Sequence, residues 1–223
     1  MIDGARALGL IPARAGSERL RGKNTRPFAG RPLVDWTLDA ALGSGLLETV
    51  AVTTDDPGVA ALASARDVTV IDRPAELAGS DASIYDAIAH ALGVLGADWD
   101  YLVLLQPTSP LRTAADIDGA LALCHARAAP AVLAVSPLIK PPAFHRRLRE
   151  DVIGPAGDLD DLVVVNGAIY VGRPDRLLVE RRFDVPGALA WPMPVERSWD
   201  IDTAAEFAAA EAAAAGATSS RNG

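Results

Sequence analysis

A chain of 223 residues, half of them hydrophobic, has the length and apolar content for one α/β domain with a sizeable core. A formal net charge of −8 argues against nucleic acid as a partner, and a single cysteine excludes an internal disulfide framework and suits a reducing compartment. No apolar stretch approaches a membrane span and no leading segment has the order of a signal peptide, so the expected location is the cytoplasm, away from membranes.

Ala7–Ile11 reads as a buried strand. It runs directly into Arg14, Gly16, Ser17, Arg19, Arg21, Gly22, Lys23 and Asn24. A glycine-containing turn lets backbone N–H groups approach an anion, and clustered cations neutralise it, so this segment is a candidate phosphate site. It matches neither G-x-x-x-x-G-K-[ST] nor G-x-G-x-x-G, which argues against a P-loop ATPase and a Rossmann dehydrogenase. Lysine occurs only at Lys23 and Lys140 in a chain rich in arginine, which marks Lys23 as a place where a compact ammonium is wanted.

Pro32 opens a helix with Leu33, Trp36, Thr37, Ala40 and Ala41 on one face, ending near Gly43 and Gly45. The strand Val50–Thr54 follows, then an Asp56 N-cap with Pro57 at the first helical position. Val68–Ile71 is the next strand, and Ser83-x-x-Asp86 opens a helix carrying Ile84, Ile88, Ala91, Leu92 and Leu95. Tyr101–Leu105 ends on the polar turn Gln106-Pro-Thr-Ser-Pro-Leu-Arg112, and Thr113-x-x-Asp116 caps another helix. Cys124 lies in that helix's apolar pattern and reads as packing. Ala131–Val135 and Gly167–Gly172 are further strands. Between them, residues 137–166 break the rhythm with prolines and an Arg-rich run, and read as a short arm or insertion. Thr203-x-x-Glu206 is a last capping box, and residues 216–223 read as a disordered tail.

Strands and helices alternating in this way predict one domain over 1–215: an α/β, three-layer, doubly wound, mostly parallel, Rossmann-like sheet. Asp200 and Asp202 stand at i and i+2 on an extended segment, which turns both carboxylates to one side. That pair suits Mg²⁺, a hard cation that takes oxygen ligands and keeps phosphates and water in its shell. Asp202 suits the start of the Thr203 helix equally well.

Ile11-Pro-Ala-Arg14 followed by Gly16-Ser17 and Lys23-Asn24 resembles the signature of the acylneuraminate cytidylyltransferases, the CMP-sialic acid synthetases. Arg19-Leu20 and Gly22-Lys23 are also similar to the related CMP-KDO synthetases. Four more segments resemble that family in the right order: Asp72-Arg73-Pro74 through Ser83, the Gln106–Arg112 turn, Asn166-Gly-Ala-Ile-Tyr170 and Ser198-Trp-Asp-Ile-Asp-Thr203. The resemblance implies that Ala13, Arg14, Ser17, Lys23, Asn24, Arg73 and Ser83 bind the nucleotide. It implies that Gln106, Asn166 and Tyr170 bind the sugar and that Asp200 and Asp202 hold the metal, with Arg14, Lys23, Asp200 and Asp202 as the catalytic set. The implied activity is transfer of CMP from CTP to the anomeric hydroxyl of an acidic 2-keto-3-deoxy sugar, with release of pyrophosphate, in a homodimer. No residue stands out as general base. A hydroxyl acidified by the metal, or one of the aspartates, meets that need.

Two departures matter. Glu18 stands where the family's first motif carries lysine, and the arm before Asn166 is short, with Val164 at the family's arginine position. Arg146, Arg147 or Arg149 could supply that cation. These departures keep open another nucleotidyltransferase with a different acceptor or nucleotide, and a non-catalytic nucleotide-binding protein.

Overall fold

The computed structural model describes residues 2–17, 19–96, 98–138, 146–149, 152–155 and 162–219, with side-chain surroundings left aside at 146–149, 152–155 and 216–219. The strands in chain order are β1 (Ala7–Pro12), β2 (Pro27–Phe28), β3 (Arg31–Pro32), β4 (Thr49–Thr54), β5 (Thr69–Asp72), β6 (Tyr101–Leu104), β7 (Ala131–Pro137), β8 (Arg146–Arg149), β9 (Val152–Pro155), β10 (Val163–Gly172) and β11 (Leu189–Pro192). The helices are α1 (Leu33–Leu42), α2 (Pro57–Ser64), α3 (Ile84–Leu95), α4 (Ala114–Ala126), α5 (Pro174–Glu180) and α6 (Ala204–Ser219).

Seven strands form one sheet in the order β11-β7-β10-β6-β1-β4-β5. β10 runs antiparallel to β6 and β7, and the other neighbours are parallel. The chain winds from β1 outward to β4 and β5, then returns to place β6 on the other side of β1. Such a reversal opens a crevice at the carboxyl ends of the strands, where ligands bind in open α/β sheets.

Both faces of the sheet are covered, which is why its central strands are apolar almost without interruption. In β1, Ala7 and Ile11 pack with Val34, Leu38 and Ile117 on one face, while Leu8 and Leu10 pack with Ile88 and Leu92 on the other. In β6, Val103 points to the first face and Leu102 and Leu104 to the second. Cys124 is fully buried on α4, its thiol donates to the Ala129 carbonyl, and burial pushes its pKa up to about 11, so it is a packing residue.

The helix starts use the expected caps. Asp56 accepts from the Gly58 and Val59 amides ahead of α2, and Ser83 accepts from the Tyr85 amide ahead of α3. Thr113 and Asp116 form a reciprocal capping box on α4. Glu206 accepts from the amides of Asp202 and Thr203 at the start of α6.

A third, smaller core brings the end of the chain back to its beginning. Phe207, Ala210 and Ala214 of α6 pack with Ile201 against Leu20, Phe28 and Leu33. Phe28 makes edge-on contacts with Trp36 and Phe207 at centroid distances of 5.7 and 5.4 Å. This cluster helps to hold residues 200–202 beside residues 19–24.

The structure adds elements that the sequence reading did not anticipate. β11 is a short, half-exposed edge strand ending in proline, with too little alternation to stand out. It is seated by Trp191, which packs on Gly119 of α4 so closely that a Cβ there would lie 2.2 Å from the ring. α5 is only seven residues long. The β2–β3 hairpin pairs only Pro27 with Pro32 and Phe28 with Arg31. α6 continues to Ser219, past the expected tail start at 216, because its alanine-rich end favours helix. Residues 220–223 lie outside the described residues. Within the expected arm at 137–166, β8 pairs with β9, and Val163–Val165 of β10 extend the pairing with β7. Residues 139–145, 150–151 and 156–161, the side chains of Arg146, Arg147 and Arg149, and Glu18 and Lys140 lie outside the described residues.

Candidate active site

The segment after β1 is fastened before it enters the crevice. The Ala13 amide donates to the Thr53 carbonyl, and the Ala13 carbonyl accepts from the Thr54 hydroxyl. Ala13 is therefore buried at the root of the loop, and its side chain does not line the cavity. Next along, the Ala15 amide donates to Asp55 Oδ1 at 2.8 Å, and Asn24 Nδ2 donates to the Arg14 carbonyl at 3.0 Å. Gly22, at a φ of 62°, supplies the left-handed turn that starts the short 3-10 helix at Lys23–Thr25.

That turn buries Lys23. Its ammonium donates to the Ile201 carbonyl at 2.8 Å and to Asp202 Oδ1 at 3.0 Å. An ammonium has three N–H donors, so one remains for an incoming anion. Arg19 reaches the other oxygen of Asp202 at 2.9 Å. A cavity of about 520 Å³ opens here, lined by Arg14, Ser17, Lys23, Asn24, Arg73, Ser83, Gln106, Asp200 and Asp202 among others. Nine of the twelve site residues expected from the sequence thus meet in one place.

The cavity carries both signs of charge. Among its cations, Arg14 donates to the Ala78 carbonyl and Arg73 is held by the hydroxyl and carbonyl of Thr53. Burial lowers the pKa of Arg73, Asp55 opposes the shift, and the charge of Arg14 adds to it. Two mutually repelling cations at a cavity wall are an arrangement that an anion stabilises. Among its carboxylates, burial raises the pKa of Asp200, and the charges of Asp202 and Glu206 push it further against Thr108 and Lys23.

The remaining sequence expectations fall behind the wall. Asn166 is buried, with its Nδ2 donating to Ser198 Oγ at 3.0 Å and its Oδ1 accepting from the Ala168 amide at 3.1 Å. Tyr170 packs against Phe183 at a centroid distance of 5.1 Å, and burial raises its pKa, helped by Asp200 and Tyr85. Neither side chain lines the cavity. Gly167 of the same motif lines no part of the cavity either, but packs behind Gln106 and Asp200, which do. It sits at a φ of 74° between the two register segments of β10 with β7. A Cβ there would lie 3.2 Å from Gln106 Oε1 and 3.3 Å from Asp200 Oδ2. Gly167→Ala is expected to strain the backbone by about 1–2 kcal/mol and to push Gln106 and Asp200 apart. Thermal unfolding is expected to show a loss of stability of about that size; an unchanged Tm would show that the backbone carries no such strain.

A model of the family described as cytidylyltransferase matches residues 8–132. The chain belongs to the cytidylyltransferase family. It is 35% identical over 210 residues to the N-acylneuraminate cytidylyltransferase of Escherichia coli O18:K1:H7 (strain RS218 / NMEC), covering 90% of this chain and 50% of that protein. It is 32% identical over 223 residues to the CMP-N,N'-diacetyllegionaminic acid synthase of Legionella pneumophila, covering 92% of this chain and 95% of that one. The chain spans about half the length of the N-acylneuraminate cytidylyltransferases it matches. Among solved structures, a CMP:2-keto-3-deoxy-manno-octonic acid synthetase complexed with CTP superimposes with a TM-score of 0.68 at 19% identity, covering 95% of this chain and 99% of that one. That likeness is one of fold, and it agrees with the doubly wound sheet expected from the sequence.

Within this site, three positioning roles carry no sequence signal. Asp55 pins the phosphate-loop candidate. Asp116 receives Arg197 through two bonds of 2.7 and 3.0 Å, which ties the segment before Asp200 to α4. Thr108 accepts the Ile201 amide at its carbonyl, at 2.8 Å. Each joins segments remote in sequence, and no spacing rule marks such a pair. The donor set also suits Mg²⁺. Two carboxylates line one cavity, Asp200 feels a like charge from Asp202, and Mg²⁺ asks for one or two carboxylates with phosphates completing its shell.

Proposed function

We propose that the chain transfers CMP from CTP to the anomeric hydroxyl of an acidic 2-keto-3-deoxy sugar. The observation that carries this is one cavity lined by the mutually repelling cations Arg14 and Arg73, by the carboxylates Asp200 and Asp202, and by Lys23, which is bonded to Asp202. Membership of the family supports it, as do relatives named for sialic, legionaminic and octulosonic acid chemistry.

The acceptor oxygen attacks the α-phosphorus of CTP, a new P–O bond forms, the bond to the β-phosphate bridging oxygen breaks, pyrophosphate leaves and the hydroxyl proton is released. Negative charge grows on the phosphate oxygens, so cations fixed in advance lower the barrier. Lys23 and Arg14 do this work. Lys23 is already desolvated and held by the Ile201 carbonyl, so it needs no reorganisation as charge develops. Ser17, Asn24, Arg73 and Ser83 orient the nucleotide, Ser83 from the N-terminus of α3, where an anion or polar edge is favoured. Gln106, beside Gly167, orients the sugar. Mg²⁺, held by Asp200 and Asp202, would neutralise charge on the phosphates and the departing pyrophosphate. Asn166 and Tyr170 act from behind the wall, Asn166 by bracing the Ala168 amide and Tyr170 by packing.

A homodimer in the cytoplasm completes the proposal. Leu162, Val163, Val164 and Val165 form a consecutive exposed apolar run at the start of β10, a surface that gains from burial against a second copy. Sedimentation velocity is expected to give a dimer that Val164→Glu weakens; a monomer at all concentrations would exclude it. Among the described residues no helix is long and apolar enough to cross a membrane. The test of the activity is pyrophosphate release with Mg²⁺ across the four nucleoside triphosphates and a panel of 2-keto-3-deoxy sugar acids. Release with CTP and one acid class supports the proposal. Release only with another nucleotide would overturn it.

A further inference from the structure

Arg112 is the most deeply buried charged group that the mechanism leaves unused. It is 3% exposed and lines no part of the cavity. Its guanidinium donates in three directions to three parts of the chain: Nε to the Ala168 carbonyl at 2.8 Å, Nη1 to the Thr37 hydroxyl at 2.7 Å, and Nη2 to the Gln106 carbonyl. Among the described residues no carboxylate pairs with it, and Asp116 and Asp200 act on it only at a distance. Burying an unpaired charge is costly, and an apolar side chain would fill the same space at less cost. What an apolar side chain cannot do is hold two carbonyls and a hydroxyl with one rigid planar fork.

One carbonyl belongs to Gln106, whose side chain lines the cavity, and the other to Ala168, in the strand behind it. Ala168 follows Gly167, which packs so closely behind the cavity that a Cβ there would lie 3.2 Å from Gln106 Oε1 and 3.3 Å from Asp200 Oδ2. We propose that Arg112 is a positioning residue that fixes the gap between the Gln106 turn and the Gly167–Ala168 backbone, and so sets the fit of the acceptor but not of the nucleotide. Two weaker ties run parallel to it, from Ser109 Oγ to the Asn166 carbonyl and from the Ile201 amide to the Thr108 carbonyl. Neither joins Gln106 to Ala168 directly. Thr37, on α1, anchors the fork from outside the site.

The inference rests on the cytidylyltransferase reading, and its test separates the two. Wild-type protein is first assayed with CTP and the N-acylneuraminic, diacetyllegionaminic and deoxyoctulosonic acids; no product with any acid means that the activity itself has failed. With the acid that reacts, Arg112→Met is expected to raise acceptor KM about tenfold or more, while CTP KM stays within about twofold. Thr37→Val removes one anchor of the fork without touching the cavity, and is expected to raise acceptor KM about threefold with unchanged CTP affinity. It decides the matter if Arg112→Met does not fold. Acceptor KM at the wild-type value in the folded variants, or equal rises in both KM values, overturns the positioning role.

Discussion

Lys23→Ala is expected to cut kcat by about 10²–10³ while the protein remains folded. The ammonium is buried beside the cavity, where a charge acts through little screening. The variant should also shift CTP affinity less than kcat, because the charge on phosphate grows toward the transition state. Stability is expected to fall modestly, since the Ile201 carbonyl loses its donor and Asp202 keeps only Arg19. Steady-state kinetics with circular dichroism and CTP calorimetry separate these effects. Wild-type kcat in Lys23→Ala would remove the residue from the catalytic set.

The second large effect is expected at Asp202. Asp202→Asn keeps an oxygen that can accept from Lys23 but discards the charge shared by Lys23, Arg19 and the proposed metal. Activity should fall by at least about 10²-fold at saturating CTP. The Mg²⁺ concentration needed for half-maximal rate should rise at the same time. A fully active Asp202→Asn protein, with wild-type Mg²⁺ dependence, would sink the metal assignment.

The sheet was legible because its central strands are covered on both faces. Apolar runs such as Ala7–Ile11 in β1 and Tyr101–Leu104 in β6 leave little else for them to be, and caps at Asp56, Thr113 and Thr203 mark helix starts by a local bond. Pieces set by tertiary contact were not legible. β11 exists because Trp191 finds Gly119 on α4, seventy-two residues earlier by the difference 191 − 119. The candidate site divides along the same line. The cationic loop was readable because cations and glycines cluster within it. In the motif from Asn166 to Tyr170 the conspicuous side chains, Asn166 and Tyr170, line no part of the cavity, and Gly167, packed behind Gln106 and Asp200, contributes by the absence of a side chain. Arg112 was seen only as part of a turn, because burial of its guanidinium depends on Thr37 and Ala168, which no local pattern places beside it.

The central claim is that the carbon–oxygen–phosphorus link is made here. Its most direct measurement is product analysis after incubating the protein with Mg²⁺, α-phosphorus-labelled CTP and the acid panel. The expected result is label in a CMP–sugar ester, formed in equal amount with pyrophosphate and dependent on Lys23. Label that stays in CTP with every acid, while the protein still binds CTP, would contradict cytidylyl transfer and leave a nucleotide-binding protein in its place.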